Sequence, residues 1–184
     1  MLNIKGSVLR ARLAFVAREA GAEAVRRVLE RLPPAERAEL GTVLSSKWYP
    51  FELGRRLDDA IALELGVGGQ EFFRRLGRES AEKNLTGVHQ ALLKPGDPHA
   101  FLAGSPVIYK LYYDRGTREY ERVGPREAVL TTRDAPVSSV AECQTNMGWH
   151  QRALELCGAA DVRVTEEECL ATGGKCCRYR LRWS

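Results

Sequence analysis

The amino-acid sequence predicts an α+β fold, a helical N-terminal half packed on a small antiparallel sheet. Three observations carry this expectation. Apolar residues recur at spacings of three, four and seven through most of the chain before Ser105, as amphipathic helices require. From Ser105 onward the apolar period shortens to two, the signature of strands. Glycine and proline stand where those patterns change. With 184 residues and 44% hydrophobic content, the chain can bury one self-sufficient core but has little room for two. It reads as one domain over 1–184, mainly helical over 1–104 and built of sheet plus helix over 105–184.

The first helix is expected from Ser7 to about Arg31, because Leu9, Leu13, Val16, Val25, Val28 and Leu29 share a face, with a break at Gly21. Leu32, Pro33 and Pro34 stop it, and Pro34 is placed to open a short helix toward Leu44. Lys47, Trp48, Tyr49 and Pro50 form an aromatic corner. Phe51, Leu53, Leu57, Ile61 and Leu65 mark another helix, ended by Gly66, Val67, Gly68 and Gly69. Phe72, Phe73, Leu76, Ala81 and Leu85 give the next helix its apolar side, and a broken helical stretch follows through Phe101.

After Pro106, the alternation of Val107, Tyr109, Leu111 and Tyr113 predicts a strand. Asp114, Arg115 and Gly116 turn the chain, 118–123 returns as its hairpin partner, and 128–132 adds a third β-prone run before Pro136. Ser138 or Ser139 is expected to cap a helix reaching Cys157. On it Val140, Cys143, Met147, His150, Leu154 and Cys157 step by three or four and share one face. A strand over 162–169, a turn at Gly173 and Gly174, and a last strand through Cys177, Tyr179, Leu181 and Trp183 complete the chain.

Composition narrows the function. Twenty-eight basic and 24 acidic residues are interspersed, a net +4 that lacks the clustered stripe of a specific nucleic-acid binder. The N-terminus shows no apolar signal segment, and charges interrupt every hydrophobic run, so a cytoplasmic protein without a membrane span is expected. The sequence shows no Ser-His-Asp or Cys-His arrangement, phosphate-cradling loop or dinucleotide fingerprint, which argues against an enzyme.

The chemistry concentrates in five cysteines, an odd number, all at or beyond Cys143. Cys143 lies on a helix, Glu166 and Cys169 at a strand end, and Cys177 after the glycine turn, so one point in the fold can gather them. Spacing alone leaves two readings open, metal ligands and buried thiols acting as small hydrophobes. Cys176 sits on the opposite strand face from Cys177. Cys157 lies about 21 Å along the helix from Cys143 and His150 roughly 10 Å, too far for joint coordination. His89 and His99 could anchor a ligand or haem. Trp48, Tyr49, Phe51, Phe72, Phe73 and Phe101 either fill a core or wall an apolar pocket. Arg178, Arg180 and Arg182 share one strand face, expected to be solvated.

The segment from Glu142 and Cys143 to Gly148 and Trp149, with Glu166, Cys169, Gly173, Gly174 and Cys177 after it, resembles the 4-vinyl reductase domain. Gaps of 23, 3 and 8 residues match that family's ligand pattern, which implies a structural zinc on Cys143, Glu166, Cys169 and Cys177. The resemblance covers about 105–184. It implies the ligand-binding fold shared with haem nitric-oxide sensors and trafficking subunits of Golgi transport. It further implies a homodimeric regulatory module that senses a hydrophobic or aromatic small molecule or an acyl chain, or that meets a protein partner. The alternative it implies is an enzyme or accessory factor acting on tetrapyrrole vinyl groups. The N-terminal half, with Leu32, Pro33 and Pro34 and the Trp48–Phe51 corner, resembles an uncharacterised family of myxobacteria.

Overall fold

The structure is a computed structural model that describes residues 2–66, 70–135 and 139–184. The expectations placed on Val67, Gly68, Gly69, Pro136 and Ser138 lie outside the described residues.

The N-terminal half is helical, as its periodicity requires. Helix α1 (Gly6–Glu30) is kinked at Gly21, whose φ of 84° suits glycine and would strain any other residue. Helix α2 (Pro34–Gly41) starts on Pro34, and α3 (Phe51–Leu65) ends on Gly66 in the left-handed conformation. Helix α4 (Gln70–Leu85) follows, then a 3-10 turn and α5 (Pro98–Ala103), capped by the Asp97 side chain. The aromatic corner is a strand: β1 (Asn3–Lys5) pairs antiparallel with β2 (Trp48–Pro50) and fixes the start of α1.

One prediction fails in kind. Residues 105–112 form helix α6 (Ser105–Tyr112), where alternation suggested a strand. A short apolar run fits both periods, and Pro106 in the first helical turn tips the balance. Ser105, Ile108, Tyr109 and Tyr112 then fall on one face rather than two. Strand β3 (Thr117–Gly124) pairs instead with β4 (Glu127–Arg133).

Helix α7 (Val140–Leu156) is capped by Ser139, whose hydroxyl accepts the Glu142 amide at 3.1 Å. Strands β5 (Arg163–Glu168) and β6 (Cys177–Arg182) complete a four-stranded antiparallel sheet of order β3-β4-β6-β5. The α+β class is therefore observed. Arg180 and Arg182 on the outer sheet face pair with Glu127, and Arg180 also with Glu167, so that face carries balanced charge.

Helix α7 lies between the sheet and α4. Its contact with α4 is close because Gly77 and Gly148 leave room: a Cβ on Gly77 would stand 2.0 Å from Thr145 O, and one on Gly148 2.0 Å from Arg74 O. Two apolar clusters result, one of α1, α3 and the first turns of α4, the other of α7, the sheet and the end of α4, and Tyr112 packs on both. No helix among the described residues is long and apolar enough to cross a membrane.

Candidate functional site

A cleft partly open to solvent lies where α1, α4, α6 and α7 meet above the sheet. Ile108, Tyr109, Tyr112, Tyr113 and Trp149 supply an apolar, aromatic wall. The aromatic residues that the sequence offered as pocket walls are elsewhere. Tyr49, Phe51, Phe72, Phe73 and Phe101 are core, and Trp48 is exposed under the Lys5 ammonium. Reading 105–112 as a strand concealed the true wall, because strand alternation would send Tyr109 and Tyr112 to opposite sides.

The cleft's polar groups are mostly committed to one another. Arg12, 2% exposed, donates to Asp58 Oδ1 at 2.6 Å and Oδ2 at 3.0 Å, and to Glu142 Oε2 at 2.6 Å. Tyr113 and Asn146 hold the other Glu142 oxygen. Burial pushes the Asp58 carboxyl up to about 6, against the pull of the Arg12 guanidinium. His150 donates from Nδ1 to Asn146 O at 2.8 Å, and its Nε2 accepts from Arg118 Nη1 at 3.3 Å. Burial first and Arg118 second push the imidazole down to about 3, so it is neutral at physiological pH. Ser105 Oγ is buried with no hydrogen-bond partner, and sequence reasoning gave no signal for it.

Beside the cleft the structure brings together three of the four predicted metal-site residues. Cys143 Sγ lies 3.4 Å from Cys169 Sγ and 3.7 Å from Cys177 Sγ, and the three sulfur atoms fall within 4.8 Å of one another. Each element delivers its thiol for a local reason. Cys143 faces the sheet from the first turn of α7. In a regular strand residues three apart, such as Glu166 and Cys169, face opposite sides. A bulge between Glu166 and Glu168 resets that alternation, so Cys169 turns inward. Gly173, with φ of 92°, and Gly174, whose Cβ would meet Cys169 O at 2.8 Å, then fold the chain back to Cys177.

The Leu170 amide donates to Cys177 Sγ at 3.5 Å, and Tyr179 hydrogen-bonds to Cys143. Glu166 lies outside the group of three, opposite Tyr179 on the same sheet face, with Oε1 buried and unpartnered. Burial raises the Cys169 thiol above its ordinary value. Cys157 is buried near Lys94 at the far end of α7, and Cys176 points to Glu168 on the outer face, as their positions in sequence predicted.

Solved structures share this fold at low identity. An H-NOX protein from K. algicida, described as Fe(II) unliganded, is 16% identical with a TM-score of 0.78, covering 98% of this chain and 96% of that one. One from S. oneidensis, in the Fe(II)NO ligation state, is 17% identical with a TM-score of 0.72, covering 98% and 99%. A mutant of T. tengcongensis H-NOX is 12% identical with a TM-score of 0.75, covering 98% and 97%. The expected resemblance to the nitric-oxide-sensor fold is thus found.

The expectation of a structural zinc is corrected. The neighbours are described by Fe(II), and one structure by its haem redox potential, rather than by zinc. Structural zinc sites are almost always four-coordinate. Among the described residues only three donors converge, and Glu166 is not one of them.

Neither His150 nor His99 is placed to take haem iron. His150 is the one histidine in the cleft wall, and a guanidinium occupies the position before its Nε2. His99 has both nitrogens committed, Nδ1 to Tyr120 Oη at 2.7 Å and Nε2 to Pro125 O at 2.9 Å. His89 packs edge-on against Tyr112.

No match was found among curated proteins. The matching family model is not that of the 4-vinyl reductase domain, and it spans both halves of the chain. Residues 44–184 match the model described as a protein of unknown function, DUF2378, and the chain belongs to that family.

Proposed function

We propose that this protein is a small-molecule-sensing regulatory module, not an enzyme, whose ligand seats in the cleft between α1, α4, α6 and α7. The observation that carries the reading is Ser105 Oγ, 2% exposed and without a partner, in the lining of the cleft beside its aromatic wall. A buried hydroxyl left unbonded is costly, and a ligand atom is one way to satisfy it. The shared H-NOX fold supports a sensory role, with a ligand other than haem. The cytoplasm, and the homodimer implied by the resemblance, belong to this reading. Native mass spectrometry of freshly purified protein tests it: a copurified organic ligand, lost in Ser105→Leu, is the expected result. A chain that carries no ligand and gains no thermal stability from any aromatic probe overturns it.

The same reading gives Cys143, Cys169 and Cys177, with Glu166 beside them, the role of a soft-metal site. Three thiols within 4.8 Å of one another, with no fourth donor grouped with them among the described residues, suit a thiophilic ion such as Cu(I), for which thiolates are selective.

A further inference from the structure

We propose that the cleft is specific for an aromatic carboxylate, held by Arg118. The proposal rests on the cleft being a ligand site and names what it takes.

Arg118 is 7% exposed and lines the cleft from β3. A guanidinium carries five N–H donors. Nε and Nη2 donate to Thr132 Oγ1 at 3.0 and 2.9 Å, and Nη1 approaches His150 Nε2 at 3.3 Å. One N–H on each terminal nitrogen is left over. The described residues include every aspartate and glutamate, and none of their ion pairs reaches Arg118. Its other neighbours are the rings of Tyr109 and Tyr179, 5.0 and 6.0 Å away. A buried cation is normally paired with an anion or turned to water. This one has two neutral acceptors, two rings and two N–H donors to spare, and a guanidinium is suited to bind a carboxylate.

The two acids nearby do not fill that place. Asp58 is held by Arg12, and Glu142 is held by Arg12, Tyr113 and Asn146. Their two charges with those of Arg12 and Arg118 sum to zero, so a ligand carboxylate adds a single negative charge beside a guanidinium. Ile108, Tyr109, Tyr112 and Trp149 give the cleft an apolar, aromatic side, with Tyr112 and Trp149 meeting edge to face at 6.3 Å. A flat ring suits such a wall, and Ser105 Oγ can bond one polar substituent on it.

Calorimetric titration of the full chain with three probes of one shape decides the matter: 2-naphthoate, neutral 2-naphthol and cationic 2-naphthylmethylammonium. The expected result is naphthoate binding about tenfold or more tighter than naphthol, with no competition from the cation. In Arg118→Gln the preference for naphthoate should vanish while naphthol binding persists. Arg118→Lys, which keeps the charge without the fork, should retain part of the preference and covers the case in which the glutamine variant fails to fold. Naphthol binding as tightly as naphthoate overturns the carboxylate proposal alone. Failure of all three probes to bind overturns both this proposal and the ligand-cleft reading beneath it.

Discussion

Arg12 Nη2 on α1 and Glu142 Oε2 on α7 meet at 2.6 Å, joining residues 130 apart in sequence. All three side chains are buried, and Arg12 also holds Asp58, so removing Arg12 strands two carboxylates. Arg12→Met should lower stability by about 3 to 5 kcal/mol in urea denaturation. Arg12→Met together with Asp58→Leu and Glu142→Leu should cost less than Arg12→Met alone, because the triple variant leaves no orphan charge. A triple variant less stable than the single one would refute this account.

His150 makes stability sensitive to acid. Its folded value of about 3, against 6.5 when free, means that the unfolded chain binds more protons across that window. Stability therefore falls as pH drops from 6.5 toward 3, by roughly 5 kcal/mol for this group. Asp58, raised to about 6, has the opposite sign and offsets part of the loss between pH 6 and 3.8. His150→Gln should flatten the acid limb of the urea midpoint plotted against pH. An unchanged slope would mean that the imidazole is solvated.

The α4–α7 crossing should tolerate no added methyl. Gly77→Ala and Gly148→Ala each press a Cβ to 2.0 Å from a carbonyl oxygen of the facing helix, and each should cost about 1 to 3 kcal/mol or more by thermal unfolding. Gly41→Ala, with nothing within 4 Å, should gain about 0.5 to 1 kcal/mol.

The three-thiol site predicts one equivalent of Cu(I) bound under anaerobic conditions, seen as thiolate-to-copper charge-transfer absorption. Cys169→Ser and Cys177→Ser should abolish it. Cys157→Ser and Cys176→Ser, whose thiols lie elsewhere, should leave it intact. Loss of binding in Cys157→Ser would place the ion outside the group of three.

Much of this arrangement is legible in the amino-acid sequence by itself. The helix spacing, the kink glycine, the caps at Pro34 and Ser139, and the glycine turn before Cys177 are local properties, set by a residue's own backbone preference or by a repeat a few residues long. Those same local rules locate the cysteines on one helix face and at facing strand ends. They also separate Cys157 and Cys176 from the other three, since rise per residue and strand alternation need no partner to be known.

Tertiary structure alone decided the rest. Over Ser105–Tyr112 the apolar pattern satisfies both a strand and a helix; Pro106 favours the helix locally, and packing of Tyr109 against β3 and of Tyr112 against α7 settles it. That choice creates the cleft. The bulge at Glu167 depends on register with β6, so the inward turn of Cys169 and the exclusion of Glu166 from the thiol group could not be read from spacing. Arg118 carried no signal, because a buried cation is defined by the distance to charges remote in sequence, and sequence does not record that distance.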